Sequence, residues 1–111
     1  MPTPLLKIDF SGHRLGPGKV QLLELIAETG SISQAAKKMK MSYRRAWLLV
    51  EELNTMFDQP VVEAATGGSG GGGAAVTKFG QKLVKTYRSA EAAAQKIVVK
   101  KFGGIGPIPK S

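Results

Sequence analysis

Ser42-Tyr43-Arg44-Arg45 places a hydroxyl, a phenol and two guanidinium groups in consecutive positions. A guanidinium presents N–H donors in a fixed plane, a shape that fits guanine O6 and N7 or a phosphate. A good bidentate pair with guanine discriminates by about 1–3 kcal/mol. An isolated surface arginine is ordinarily just solvated, but two of them opening a helix weigh the other way. Arg44 is assigned to base edges, and Arg45 to bases or phosphate. Lys37, Lys38 and Lys40 precede them, and no acid falls between Glu28 and Glu51. These lysines contribute a local positive field. Ser31, Ser33 and Gln34 open the preceding helix, whose N-terminus can hold a phosphate; Ser31 is equally suited to a plain cap. Tyr43 divides evenly between packing and nucleotide contact, whereas Trp47 is placed in the core or at an interface.

The elements that must carry these groups are legible in order. Leu6, Ile8 and Phe10 alternate with Leu5, Lys7 and Asp9, which predicts a half-buried strand over Leu5 to Phe10. Ser11-Gly12-His13 breaks it and leaves His13 in a loop. Gly16-Pro17-Gly18 introduces a helix that runs to about Thr29 and stops at Gly30. Leu22, Leu23, Leu25 and Ile26 are too many for a narrow stripe, so that helix should be covered on more than one side. Ser31 caps the next helix and Gln34 completes a capping-box pattern. This helix ends near Lys38–Met39, and Lys40 takes a left-handed turn position at a cost of roughly 1 kcal/mol relative to glycine. Ser42 caps the third helix. Ala46, Leu49, Val50, Leu53 and Phe57 share one stripe that should face the core, while Arg44 and Thr55 point almost directly away.

Beyond Gln59-Pro60, Val61 to Ala65 reads as a short strand and Ala74-Ala75-Val76 as its return around the glycine-rich run Gly67–Gly73. Two strands directly after such a helix make a wing, the alternative being a flexible linker between two domains. Thr77 then caps a long helix to about Lys101. Phe79, Leu83, Tyr87, Ala90, Ala94 and Ile97 share one face, and Lys78, Lys82, Lys85 and Arg88 share another. The basic stripe is either a phosphate contact, with Lys78 favoured beside the wing, or a solvated side. The apolar face beyond Ala90 projects past a small domain and needs cover, most simply the same helix of a second subunit. Leu83, Tyr87, Ala90, Ala94 and Ile97 are therefore assigned to a dimer contact. The fold class is mainly α with a small β wing: a winged helix-turn-helix over residues 1–101, with a long C-terminal helix at 77–101 and a loosely ordered tail at 102–111.

Composition bounds the rest. A chain of 111 residues with net charge +8 favours one domain with a polyanionic partner. The absence of cysteine removes thiolate catalysis and cysteine metal sites, and one loop histidine makes a zinc centre improbable. No metal or catalytic residue is assigned. The glycine-rich run lacks the Gly-Lys-Ser/Thr ending of a P-loop and the βαβ setting of a dinucleotide turn, so an enzyme is not expected. No apolar run is long enough to span a membrane and no secretory pattern opens the chain, so no membrane partner and a cytoplasmic location are expected.

GPGKVQLLELIAETGSISQAAKKMKMSYRRAWLLVEELN, the glycine-rich wing and TKFGQKLVKTYRSAEAA closely resemble the DNA-binding domain of ModE-type molybdate-responsive transcriptional regulators. More distantly, the helix-turn-helix is similar to that of LysR-type regulators. The resemblance implies a homodimer on a palindromic double-stranded DNA operator, with Ser42, Tyr43, Arg44 and Arg45 in the groove. In those regulators molybdate binds a separate C-terminal module, and this chain ends before one could begin. No cofactor is therefore expected of the chain itself, and a separate oxyanion-binding protein is a candidate partner. Wings of such regulators often carry arginine; here no basic residue occurs between Val61 and Thr77, so the wing tip would offer backbone N–H groups and the Thr66 hydroxyl rather than charge. Two other readings stand beside the specific regulator: an architectural protein that coats DNA, and an oxyanion sensor without its own ligand module.

Overall fold

The computed structural model describes residues 2–66 and 73–106. Pro17–Thr29 forms α1, the helix against which the others pack. Pro17 occupies its first turn, where a missing N–H goes unused, and Gly30 ends it in the left-handed region (φ 69°) with its N–H donating to Ile26 O. Val20 is fully buried on one side of the helix, and Leu22, Leu23 and Ile26 on another, so α1 is indeed covered from more than one direction. The expected strand is shorter than its alternation suggested. Strand β1 spans only Ile8–Phe10, and residues before it run beside the last helix instead. Ser11 and Gly12, both at positive φ, make a two-residue turn into β2, His13–Leu15. His13 therefore pairs with Phe10 in a hairpin rather than lying in a loop. Three residues are too few for a strand period to show.

Helix α2 spans Ile32–Lys38 and α3 spans Tyr43–Met56. Ser31 Oγ accepts from Gln34 N–H as expected, but the other half of the capping box is taken by Thr29, whose Oγ1 accepts from Ser31 N–H. Lys40 adopts φ 57°, and two hydrogen bonds close the turn around it, Lys40 N–H to Lys37 O and Met41 N–H to Ala36 O. Ser42 Oγ then accepts from Arg45 N–H. Ala46, Val50 and Leu53 are buried, and Leu49 and Phe57 pack against them, so the apolar stripe faces the core. Phe57 is also the middle ring of three, edge-on to Phe10 at 5.0 Å and to Phe79 at 5.5 Å.

Val62–Ala65 (β3) and Gly73–Val76 (β4) pair antiparallel, Val62 opposite Val76, which makes them a wing and removes the linker alternative. The glycine-rich run from Gly67 to Gly72 lies outside the described residues. Asn54 fastens α3 to the wing: its Oδ1 accepts from Val61 and Val62 N–H, and its Nδ2 donates to Val62 O. Thr77 caps α4, Lys78–Phe102, while its own hydroxyl donates to Pro60 O. Tyr87 is a core residue at 1% exposure, and its hydroxyl donates to Leu6 O. Further along, Gln95 Nε2 donates to Pro2 O. The chain's own N-terminal segment thus covers part of the face expected to need a second subunit. Tyr87 is already buried within this chain; Leu83, Ala90 and Ala94 are half-buried, and Ile97 is 60% exposed. The expected tail starts one residue too early, because Phe102 is still the last residue of α4, and residues 107–111 of it lie outside the described residues.

Gly80 sits where the first turn of α4 crosses the start of β3, and a Cβ there would stand 2.5 Å from Val61 O. Gly80→Ala should lower stability by about 1–3 kcal/mol in urea unfolding. The control is Gly18→Ala in α1, whose Cβ meets nothing within 4 Å and should leave stability unchanged or raise it. A second prediction concerns the tie between β2, α1 and α3. Glu52 accepts from His13 Nδ1 at 3.1 Å and Lys19 Nζ at 3.0 Å, and these bonds hold its carboxyl below the usual range. A carboxyl depressed on folding stabilises the protein above its unfolded pKa, and that contribution disappears as pH falls through the folded one. Unfolding midpoints measured from about pH 6 to pH 3 should fall less steeply in Glu52→Gln than in the parent.

Candidate nucleic-acid interface

Helix α3 presents its first turn to solvent because Ser42 stops it there and its opposite face is consumed by the core. Ser42, Tyr43, Arg44 and Arg45 are all exposed. Ser42 Oγ accepts from Arg45 N–H yet keeps its own O–H to donate to a ligand oxygen. Among the described residues neither Arg44 nor Arg45 is in an ion pair. Their guanidinium donors remain available for planar acceptors.

Tyr43 stands between two other assigned groups. It shares a shallow cleft with Ser31 and Ser33 at the start of α2 and with Gly73 and Ala74 of the wing. The fold therefore brings the α2 N-terminus, the α3 first turn and the wing to one edge of the molecule. Ser31 Oγ is committed as a cap, while Ser33 and Gln34 are exposed. Thr66 is exposed at the end of β3, and Lys78 is exposed at the start of α4. Trp47 is not in the core: it is 42% exposed and flanks the cleft between α3 and the wing. The helical wheel placed it beside the buried stripe, but the wing strands stay far enough off to leave it half open.

Not every cation of the basic segments is free. Lys38 pairs with Glu28 at 3.2 Å. Arg88 is withdrawn from the basic stripe of α4, because Glu24 takes its Nε and Nη2 and Glu91 its Nη1. These carboxylates push the Arg88 pKa further up, fixing its charge. Glu91 stands three positions along the same helix, a spacing that could have revealed it, whereas Glu24 lies 64 positions away. Lys78, Lys82 and Lys85 remain exposed.

Two features escaped sequence reasoning. Lys7 and Arg14 line a cleft with Arg45, floored by Met39, Met41 and Leu49, so the hairpin extends the basic surface of α3. Only the chain's return in space brings them there. Leu48 is the other: it is 49% exposed on the face opposite the buried stripe. Its wheel position alone could have revealed it. Among the described residues no group of three His, Cys, Asp or Glu is placed to hold a metal ion, and no helix is long and apolar enough to cross a membrane.

Known proteins share both the sequence and this geometry. The sequence profile of the bacterial regulatory helix-turn-helix proteins of the lysR family matches residues 18–81. Molybdenum-pterin-binding protein MopB of Rhodobacter capsulatus is 43% identical over 91 residues, covering 82% of this chain and 34% of that protein. Transcriptional regulator ModE of Yersinia pestis is 44% identical over 80 residues, covering 72% of this chain and 30% of ModE. The DNA-binding transcriptional dual regulator ModE of Escherichia coli K12 is 45% identical over 71 residues, covering 64% and 27%. The chain thus spans about a third of the length of these relatives, which are named as regulators and molybdenum-pterin-binding proteins rather than enzymes. Among solved structures, a LysR family transcriptional regulator superposes with a TM-score of 0.54 at 19% identity, covering 77% of this chain and 27% of that one. ZitR of Lactococcus lactis gives 0.57 at 17% identity, covering 93% and 70%. Both share the fold, a winged helix-turn-helix. With ModE relatives across most of its length and the profile matched from α1 into α4, the chain belongs to the lysR family of bacterial regulatory helix-turn-helix proteins.

Proposed function

We propose that this domain binds double-stranded DNA sequence-specifically, as a homodimer on a palindromic operator, and acts in the cytoplasm in molybdate or related oxyanion homeostasis. The observation that carries the reading is the first turn of α3, where Arg44 points away from the buried stripe and Arg45 stands to its side, both exposed and neither in an ion pair among the described residues. In this reading Arg44 pairs with a base and Arg45 with a base or phosphate, beside Ser42 and Tyr43. Ser31, Ser33 and Gln34 approach the backbone on one side, and Thr66 and Lys78 follow from the wing. The half-open face of α4 supports the dimer, through Ala90, Ala94 and Ile97 with Leu83 at its margin. Tyr87 would act from beneath, as core support for that face. The names of the ModE and molybdenum-pterin-binding relatives support the oxyanion context. No cofactor bound to this domain is needed, and a separate oxyanion-binding protein would supply the signal.

Selection of bound sequences from random DNA at physiological salt tests specificity and symmetry together. An enriched site with two inverted half-sites is expected; no preference over bulk DNA would favour a coating protein instead. On the enriched duplex, Arg44→Ala should lose about 1–3 kcal/mol of affinity and relax the preference at one position per half-site, with its melting temperature unchanged. Salt provides an independent check. If roughly six to ten phosphates are neutralised per dimer, affinity should fall about 10³–10⁵-fold between about 50 and 200 mM salt, and a flat response contradicts the reading.

A further inference from the structure

Leu48 is a large apolar side chain that the fold leaves unused. Each helical residue turns by about 100°, which puts Leu48 some 200° round from buried Ala46 and beside Arg44 on the outward pole of α3. It borders a shallow notch of about 250 Å³ with Ser42, Arg44, Arg45, Leu49 and Glu52. The two leucines supply an apolar patch, and the hydroxyl and guanidinium groups supply a polar rim. Glu52 is the acid among them, and its two carboxylate oxygens accept from His13 and Lys19. The notch therefore does not present an uncompensated negative charge to a polyanion.

A second copy of this chain is a poor occupant. A two-fold contact sets a patch against itself, which would bring Arg44 and Arg45 against their own like charges. In the major groove of DNA, the C5-methyl group of thymine is the apolar feature among the donors and acceptors of the base edges. We propose that Leu48 is a specificity-determining residue that packs on a thymine methyl next to the base reached by Arg44. This rests on the reading of α3 as the groove-entering helix. Leu48 then supplies what arginine cannot, a preference for an A·T pair expressed through a methyl group rather than a hydrogen bond.

The probe is the duplex enriched from random DNA by the whole chain, resynthesised with deoxyuracil in place of each thymine in turn. That exchange removes one methyl and keeps every hydrogen-bonding group. One thymine per half-site should lose about four-fold in affinity on the exchange. Leu48→Ala should bind the thymine and deoxyuracil duplexes equally. Leu48→Gln, which keeps the length and replaces the apolar end, should do the same, and circular dichroism confirms that both fold. Enrichment of a sequence in which no thymine is sensitive overturns this assignment alone. So does a deoxyuracil penalty that persists in both variants, since another residue then reads the methyl. Enrichment of no sequence overturns it together with the reading on which it rests.

Discussion

The backbone of Val61 is the point at which the exposed helix, the wing and the long helix are fastened together. Its N–H donates to Asn54 Oδ1 at 2.7 Å, and its carbonyl accepts from Thr77 N–H at 2.9 Å. Val61 is wholly buried, so loss of the Asn54 oxygen would leave its N–H without a partner, at a cost of about 1–3 kcal/mol. Glycine at position 80 lets the first turn of α4 close down on this junction. The orientation of α3 relative to the wing is thus fixed by three hydrogen bonds from one side chain, Asn54, to the backbone of Val61 and Val62. Side chains presented by α3 are thereby held on a rigid support.

Charge is distributed with the same separation of duties. Glu24 and Glu91 hold Arg88, Glu28 holds Lys38, and Glu52 accepts from Lys19 and His13. Exposed pairs of this kind contribute little to stability, typically about 0–1 kcal/mol. Their larger consequence lies in which charges they engage: these four carboxylates are occupied, while Arg44 and Arg45 in the first turn of α3 are in no ion pair among the described residues.

The N-terminal segment plays a part that its composition does not advertise. By running beside α4, with Leu6 O accepting from Tyr87 and Pro2 O from Gln95, it closes the lower part of the long helix onto its own domain. Ile97, Phe102 and Ile105 remain exposed past that cover, at the far end of the molecule from the wing junction. Intrachain packing and the exposed apolar residues are thereby separated along one helix.

What the sequence determined by itself was everything governed by neighbours in the chain. Ser31, Ser42 and Thr77 cap the helices that follow them, and Gly30 and Lys40 take left-handed turns. The stripe from Ala46 to Phe57 faces inward because helical periodicity is a local property. The wing was legible because turn-rich residues separate two short apolar runs. Tertiary structure alone decided which charged and aromatic groups were spent internally. Arg88 left the basic stripe for a carboxylate on α1, Tyr87 went into the core with its hydroxyl on Leu6 O, and Trp47 stayed half open beside the wing. Lys7 and Arg14 joined the surface beside Arg45 only because a hairpin of two three-residue strands, too short to signal itself, returns past α3. Periodicity reports which way a side chain points, whereas its partner depends on distances that exist only after the chain has folded.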